Sequence, residues 1–455
     1  MVGMRENRVV VTGMGVVTPI GIGREEFWKG LVAGKNGVSR VTHFDPSDFP
    51  SQMAAEVKDF HPDRWIDRKT AARMDRFTHF AIAASEMALD DSGLLHSPLL
   101  GERSGVIIGS GIGGSSSIEN GCAILNRKGP RALDPFFVTR VLVNMAPAMV
   151  SIRNSLKGPL SAPCMACSTG ANAIGDAFRI IQRGDADIML AGGAEASITP
   201  LPYGGFCASR SMSRRNDGVE KASRPFDKNR DGFVMGEGAG IVVLESLEQA
   251  RSRGARIYAE LAGYGNTADA YHVTAPEPGG DGMVRVMRKA LADAGLKPED
   301  IGYINAHGTS TVLNDKVESA AIIRTFGAHS RALKVGSIKS MIGHLLAAAG
   351  AVEFFSMVMS VYTGIIPPTI NYEEPDPECP LDYVSGGAES PDLEAAISNS
   401  SASAAGMPAW PLKNIGMKNE GTQPPNRRYH GPHSHHPGGD GRKGFPGRPR
   451  LCRRQ

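Results

Sequence analysis

Residues 157–183 begin Lys157-Gly-Pro-Leu-Ser-Ala-Pro-Cys-Met-Ala-Cys-Ser-Thr-Gly and continue as a run rich in Ala and Ile. The pattern predicts a strand, a tight turn and a helix, with Cys167 at the turn. Apolar residues then recur at helical spacing: Ala171, Ile174, Ala177, Phe178 and Ile181. A helix N-terminus favours an anion, so this position predicts a nucleophilic thiol of lowered pKa. The alternative is that Cys167 is a small buried core residue.

Two distant segments favour the nucleophile. Tyr303-Ile-Asn-Ala-His-Gly-Thr-Ser-Thr runs from an apolar strand into His307 and small hydroxyl residues. Val335-Gly-Ser-Ile-Lys-Ser-Met-Ile-Gly-His carries Lys339 and His344 and leads into a helix of small residues. This last segment repeats the strand, turn and helix of the Cys167 segment, which indicates an internal duplication.

The composition excludes several other classes of protein. The chain has 455 residues, 41% of them hydrophobic, and a net charge of +3, and no basic patch in its folded part predicts nucleic-acid binding. We find no run of about 18 apolar residues that predicts a membrane span. Six scattered cysteines form no disulfide framework in a chain of this size. The chain passes directly into an apolar strand without a signal peptide, so we expect a cytoplasmic protein.

Between about Arg8 and Ser400 the chain resembles the β-ketoacyl-[acyl-carrier-protein] synthases of the elongating type, which belong to the thiolase superfamily. Each of the shared motifs is weak alone, but their order along the chain is specific. They are Val11-Thr-Gly-Met-Gly, Gly109-Ser-Gly-Ile-Gly-Gly, Asp134-Pro-Phe-Phe, Cys167-Ser-Thr-Gly, Ala191-Gly-Gly-Ala-Glu, Arg224-Pro-Phe-Asp, Asp231-Gly-Phe-Val-Met-Gly-Glu-Gly, Asn305-Ala-His-Gly-Thr-Ser-Thr and Lys339-Ser-Met-Ile-Gly-His.

The resemblance implies an α/β fold of the thiolase type, with five layers in the order αβαβα. Buried strands that alternate with helices through Leu190 independently predict a layered α/β fold with parallel strands. We expect two similar halves within one compact unit, with the site between them. The N-terminal half, residues 1–255, carries the nucleophilic cysteine, and the C-terminal half, residues 256–400, carries the two histidines and the lysine.

The chemistry implied by the resemblance is fatty-acid chain elongation by decarboxylative Claisen condensation. Cys167 would hold the acyl group as a thioester. His307 and His344 would donate hydrogen bonds to the thioester oxygen of the malonyl group as negative charge develops there. Lys339 would orient the histidines and pair with Glu318, because a buried ammonium needs a partner.

The resemblance also implies substrate contacts and partners. Thr309 and Thr311 match positions that contact the phosphopantetheine arm, and Ile112 and Phe206 match positions that line the acyl pocket. Acyl carrier protein would be the partner and carries the phosphopantetheine itself, so we expect neither a cofactor nor a metal in this chain. A homodimer is expected.

Two local features differ from the family pattern. Cys164-Met-Ala-Cys is a C-x-x-C sequence, which also allows a redox or zinc site, but no second pair of ligands completes a zinc site. Met165 stands where most relatives have threonine or another small residue, and it either adjusts to the gap or crowds the pocket.

The end of the chain departs from the family. Relatives continue Asn-Ser with Phe-Gly-Phe-Gly-Gly, whereas this chain reads Ser-Ser-Ala-Ser-Ala-Ala over residues 400–405. Deleting one T from TCC TTC GGC TTC GGC GGC produces that reading, so we interpret residues 401–455 as a frameshift-like tail. Its Pro, Gly, His and Arg-rich composition predicts disorder.

The tail leaves a second functional hypothesis open. If the glycine-rich strand is lost, the chain is an impaired or non-catalytic relative that acts only as a dimer partner. The retained Cys167, His307, His344 and Lys339 favour the catalytic hypothesis.

Overall fold

Runs rich in Val and Ile form several of the longer strands, because β-branched side chains pack well on a pleated surface. The computed structural model describes residues 7–401 and 407–414. Ten of the strands in these ranges form two similar groups of five. The first group is β1 (Val9–Thr18), β2 (Ser104–Gly109), β3 (Leu160–Ser161), β4 (Ile188–Glu195) and β5 (Gly238–Ser246). The second group is β6 (Ala259–Leu261), β7 (Tyr303–Asn305), β8 (Lys334–Gly336), β9 (Ala395–Asn399) and β10 (Met407–Lys413).

The two groups have the same strand order and the same directions. The orders are β3-β2-β4-β5-β1 and β8-β7-β9-β10-β6. In each group the first three strands are parallel and the last two join antiparallel. β1 also pairs with β6, which joins the groups into one larger sheet. The internal duplication inferred from the sequence is therefore present in the fold.

Six helices form three layers around these strands: α1 (Arg76–Ser92), α2 (Met145–Asn154), α3 (Thr169–Gln182), α4 (Asp281–Ala294), α5 (Val312–Phe326) and α6 (Ala349–Thr363). α1 and α2 share one core cluster with the outer face of the first group. α4 and α5 share another with the second group. α3 and α6 lie between the two groups. The described residues thus have the five layers αβαβα, and the predicted thiolase-like fold is confirmed.

The described residues also form other helices and strands. The other helices are Arg24–Val32, Arg68–Ala71, Ser115–Lys128, Phe137–Val141, Pro200–Ala208, Leu247–Ser252 and Lys339–Ile342. The short strands are Gly21–Ile22, Ser39–Arg40, Met53–Ala55, Met235–Gly236, Gly265–Thr267 and Asp382–Tyr383.

The two middle helices approach each other closely at their N-termini. A Cβ at Gly170 would lie 2.8 Å from the carbonyl oxygen of Ala347, and one at Gly350 would lie 2.6 Å from Cβ of Ala171. Only glycine fits at these two contacts. The close approach brings the start of α3, which follows Cys167, against the start of α6, which follows His344.

The prediction of disorder is wrong for the first described part of the tail. Residues 407–413 form β10, which lies between β9 on one side and β6 and Gly265–Thr267 on the other. β10 occupies the position that β5 holds in the first group, so a strand is present where we expected none, although its sequence is not the glycine-rich one of the family. Residues 402–406 and 415–455 lie outside the described residues, and their prediction stays untested.

β10 is an unusual strand because it contains two prolines although both of its edges are paired. Proline cannot donate to a sheet ladder and is normally confined to edge strands. Both prolines still accept: Ser400 N–H donates to the Pro408 oxygen and Ala262 N–H to the Pro411 oxygen, each at 3.0 Å. Trp410, fully buried between Tyr264 and Phe354, anchors the strand in the core.

Leu346–Thr363 is long and apolar enough to cross a membrane by length and composition, which the sequence analysis did not anticipate. It is 89% buried inside the fold, as the core helix of the middle layer.

Trp410→Ala should destabilise the protein if β10 belongs to the core. Removing a fully buried indole typically lowers the free energy of unfolding by about 3–5 kcal/mol. Urea denaturation measures this loss. Trp410→Phe is the control, because it keeps most of the apolar area and should cost much less. An unchanged unfolding midpoint for the alanine variant would contradict the placement of β10.

Candidate active site

Cys167 lies where the sequence predicts it, at the beginning of a buried helix. A short 3-10 turn, Ala166–Ser168, leads into α3 at Thr169. Ala166 has φ of 49°, a left-handed conformation that is uncommon for a residue with a Cβ. The Thr169 hydroxyl oxygen accepts from the backbone N–H of Met165 at 2.7 Å and stabilises the turn.

The predicted lowering of the Cys167 pKa is wrong. Burial raises the pKa of the thiol to about 11; Lys339 opposes this shift, while Glu195 and Glu353 add to it. Loss of hydration outweighs the attraction of the helix terminus because the thiol is surrounded largely by apolar side chains. At neutral pH the free protein therefore holds Cys167 as a thiol.

His344 is held by backbone bonds on both sides. The backbone N–H of His344 donates to the backbone oxygen of Val234 at 2.7 Å, and the backbone oxygen of His344 accepts from the Gly236 N–H at 2.9 Å. The Leu346 N–H donates to Nδ1 of the ring at 3.3 Å, which leaves Nε2 as the protonated nitrogen. Burial, aided by the Lys339 ammonium, holds the pKa of His344 well below its usual range. His344 is therefore a neutral donor.

The neutral ring of His307 has the same tautomer as that of His344, with the proton on Nε2. Lys339 Nζ lies 3.3 Å from Nδ1, so the proton of the neutral ring resides on Nε2. Burial, Lys339 and His344 hold the pKa of His307 well below its usual range. The two imidazole rings lie edge to face with centroids 5.4 Å apart. Together they provide two neutral N–H donors in one site.

The predicted ion pair between Lys339 and Glu318 is wrong. Lys339 pairs instead with Glu353 of α6, and both are almost completely buried. Its other bonds go to the His307 ring and, at 2.7 Å, to the His307 backbone oxygen. An ammonium has three donors, and these contacts use all of them.

Glu318 stabilises the loop that carries His307 by accepting hydrogen bonds from its backbone. Its two carboxylate oxygens accept from the backbone N–H groups of His307 at 2.8 Å and Gly308 at 2.9 Å. Burial raises the pKa of Glu318 to about 7, against the effect of these two bonds. Glu318 thus orients the loop, whereas Lys339 orients the ring.

The two predicted pocket residues pack with the nucleophile. Ile112, Phe206 and Cys167 belong to one apolar cluster, which also contains Phe233. The Phe233 ring lies 5.5 Å from the Phe206 ring and 5.5 Å from the His344 ring, measured between centroids. An apolar pocket therefore adjoins the histidines.

Thr309 and Thr311 lie on the loop after His307, with their hydroxyl oxygens 2.9 Å apart. Thr311 also caps α5 by accepting from the Asn314 N–H. Their contact with a phosphopantetheine arm stays a prediction. Cys164 is exposed and its thiol donates to the Gly111 oxygen at 3.4 Å.

Two family models match this chain. Beta-ketoacyl synthase, N-terminal domain, matches residues 6–250, and Beta-ketoacyl synthase, C-terminal domain, matches residues 258–373. The chain belongs to the β-ketoacyl synthase family. The resemblance inferred from the ordered motifs is thereby confirmed.

Curated relatives and solved structures agree with this family. The chain is 50% identical over 400 residues to 3-oxoacyl-[acyl-carrier-protein] synthase 2 of Synechocystis sp., covering 88% of this chain and 96% of the relative. It is 49% identical over 397 residues to the protein of the same name from Coxiella burnetii, covering 87% and 96%. A β-ketoacyl synthase from Burkholderia phymatum superposes with a TM-score of 0.84 at 37% identity, covering 90% of this chain and 100% of that one.

A further solved structure is a type II polyketide ketosynthase bound to the hexaketide, in complex with its acyl-carrier protein. It superposes on this β-ketoacyl synthase with a TM-score of 0.83 at 36% identity, covering 90% and 100% of the two chains.

Two residues of the site, Glu353 and Phe233, were not predicted from the sequence. Glu353 is the only charged residue in α6, and a lone acid in so apolar a helix could have been recognised as the partner of a buried cation. Phe233 lies within a motif that we had quoted, but no spacing rule connects it to Phe206 and His344. Its role depends on contacts across the fold.

A double-mutant cycle tests the corrected ion pair. Lys339→Met and Glu353→Gln should each lower the free energy of unfolding by about 3–5 kcal/mol, because each leaves a buried partner unpaired. The double variant should cost clearly less than the sum of the two. The matched cycle of Lys339→Met with Glu318→Gln should be closer to additive. Stronger coupling to Glu318 than to Glu353 in urea denaturation would restore the original prediction.

Proposed function

We propose that this β-ketoacyl synthase elongates fatty acyl chains by decarboxylative Claisen condensation. The substrates are an acyl thioester and malonyl-acyl carrier protein, and the product is 3-oxoacyl-acyl carrier protein. The observation that carries the proposal is the pair of neutral histidines, His307 and His344, whose rings lie edge to face, with the His344 ring against Phe233 of the apolar cluster that contains Cys167. The names of the relatives support the same activity.

The first half-reaction transfers the acyl group to Cys167. The sulfur attacks the carbonyl carbon of the acyl thioester, and a new C–S bond forms as the old one breaks. The released phosphopantetheine sulfur leaves with the proton that Cys167 gives up. The helix N-terminus of α3 stabilises the sulfur as it becomes anionic.

The second half-reaction forms the carbon–carbon bond. The malonyl carboxylate leaves as CO2, and its bonding electron pair becomes an enolate whose oxygen accepts from His307 and His344. The enolate carbon attacks the acyl carbonyl carbon on Cys167. The C–S bond then breaks, and the sulfur leaves as a thiolate that takes up a proton from water. Neutral imidazoles suit this role because they donate without placing two additional charges in the buried site.

The competing hypothesis of a non-catalytic dimer partner loses part of its argument. That hypothesis depended on the loss of a glycine-rich strand; β10 fills the strand position and is paired on both edges, but its sequence lacks the glycines of the family motif. We retain the catalytic proposal because the relatives are named for that activity.

Two aspects of assembly belong to the proposal. Acyl carrier protein is the partner, supported by the polyketide ketosynthase that was solved with its own acyl-carrier protein. A homodimer is supported by the edge strand β3, whose two residues, Leu160 and Ser161, are exposed, and by the exposed apolar side chains of the preceding segment, namely Val138, Leu142 and Ile152. Light scattering should show a dimer, and Ile152→Asp should weaken it. A monomeric wild-type protein would exclude the dimer.

A cytoplasmic location stays a prediction.

Incubation with acyl-carrier protein charged with decanoate tests the nucleophile. Peptide mapping by mass spectrometry should find the decanoyl group on Cys167 in the wild type and in Cys164→Ala, and no acyl group in Cys167→Ala. Both variants remove one thiol from the same turn, so they are matched controls. An acyl group on Cys164 would overturn the assignment.

The histidine pKa values predict the pH dependence of malonyl decarboxylation. A lowered pKa keeps each ring neutral as the pH falls through about 6.5, so the rate should stay flat there and fall only at lower pH. A midpoint of the decarboxylation rate near pH 6.5 would show a histidine that titrates normally and contradict the assignment.

His307→Ala and His344→Ala should each slow malonyl decarboxylation by about 10²–10³-fold, and slow acyl transfer much less. Stopped assays of CO2 release and of Cys167 acylation measure the two steps.

A further inference from the structure

We propose that Glu195 is a positioning residue of this site, which acts on both the acyl pocket and the nucleophile. It clamps the turn of residues 110–112, which contacts the nucleophile segment and packs in the same apolar cluster, and its carboxyl group acts on the thiol in addition to burial. Its effect on substrate selection rests on the proposed function, whereas its effect on the thiol does not.

The sheet brings Glu195 to this turn. β2 and β4 are parallel neighbours with Gly109 opposite Gly193, so the turn after β2 lies beside the end of β4. Glu195 is the last residue of β4 and is fully buried. The carboxyl group is thus placed at the ends of two parallel strands, where the chain of the first half turns toward the site.

Glu195 accepts hydrogen bonds from two residues of the turn, Ser110 and Gly111, and from Ser197. The Ser197 and Ser110 hydroxyls donate to one carboxylate oxygen at 2.7 and 3.2 Å. The Gly111 N–H donates to the other oxygen at 2.9 Å. A Cβ at Gly111 would lie only 2.8 Å from that oxygen, so the turn cannot carry a side chain there without moving.

The same turn contacts the nucleophile segment. The Gly111 oxygen accepts from the Cys164 thiol, and the next residue, Ile112, packs in the apolar cluster of Cys167 and Phe206. Gly111 is therefore held on its N–H side by Glu195 and on its carbonyl side by the Cys167 segment. A change at Glu195 moves Ile112 relative to the sulfur and alters the room available to the acyl chain.

Burial raises the pKa of Glu195, whereas the hydrogen bonds that it accepts favour the ionised carboxyl group. Backbone N–H groups of Gly111 and Ile112 can only donate, and among the described residues the partners of Glu195 are hydroxyls and amides rather than cations. A carboxylate without a cation disfavours a second negative charge nearby. Its charge adds to burial in raising the pKa of the Cys167 thiol. A thiol with a raised pKa resists oxidation at rest, and its thiolate is more nucleophilic once formed.

Glu195→Gln tests the charge, because it keeps the size of the side chain. The rate of Cys167 alkylation by iodoacetamide, followed by mass spectrometry as a function of pH, should shift its midpoint down by about one pH unit, which corresponds to roughly tenfold faster alkylation below the midpoint. Glu56→Gln is the matched control. Glu56 is also buried and also accepts from two backbone N–H groups and a hydroxyl, from Thr42 and His43, and it should leave the midpoint unchanged.

Ser110→Ala tests the clamp separately. It removes one bond to the carboxylate but keeps the charge, so the alkylation midpoint should stay while the ratio of kcat/KM for hexanoyl and hexadecanoyl substrates changes severalfold. Wild-type selectivity in both Glu195→Gln and Ser110→Ala would overturn the clamp. An unshifted midpoint in Glu195→Gln would overturn the electrostatic role.

The remaining outcomes are also decisive. If the wild type alkylates as expected and Glu195→Gln shifts the midpoint, but neither protein condenses any acyl substrate, the proposed function fails and the role of Glu195 toward the thiol stands. If Glu195→Gln does not fold, Glu195→Asp carries the test: it keeps the charge and shortens the reach, so selectivity should change without a shift of the midpoint. A shifted midpoint with wild-type selectivity would overturn the proposal.

Discussion

The close contact between the two middle helices is the constraint on which the site depends. Gly170 and Gly350 let the N-termini of α3 and α6 meet with no side chain between them. Cys167 lies directly before α3, and His344 lies shortly before α6. A larger residue at either glycine would separate the helices, and with them the nucleophile and one of the donors. The duplication of the fold therefore brings two similar strand-turn-helix units together, and their different residues supply different parts of one reaction.

Burial governs the electrostatics of the site. Lys339 is a buried cation whose three donors are used by Glu353 and by two atoms of His307. Its charge disfavours a second cation nearby, so both histidines stay neutral and retain an N–H for a substrate oxygen. The same burial makes Cys167 a thiol rather than a resting thiolate. The site thus begins uncharged at its reacting groups, and charge appears only as bonds break.

The end of the chain shows how far a sheet can accept an unfavourable sequence. β10 carries two prolines in a position flanked on both sides, and the described residues offer the Trp410 indole N–H no hydrogen-bond partner. An unsatisfied buried donor costs about 1–3 kcal/mol. The burial of Trp410, Ala409 and Leu412 offsets such losses, since each large apolar side chain contributes about 1.5–3 kcal/mol when buried. Our prediction of disorder weighed composition and proline content, and it missed the vacant position between two existing strands.

The sequence by itself determined the family, the layered α/β fold and the duplication, and it predicted Cys167, His307, His344 and Lys339 as the site residues. These follow from local signals: apolar periodicity, small residues at turns and an ordered set of motifs. Tertiary structure decided the rest. Lys339 pairs with Glu353 rather than Glu318, the thiol pKa rises rather than falls, and Phe233 joins the pocket to His344, because each of these depends on which groups burial brings within a few ångströms. β10 was likewise decided by its neighbours, since strand pairing supplies hydrogen bonds and apolar contacts that no property of residues 407–413 predicts alone.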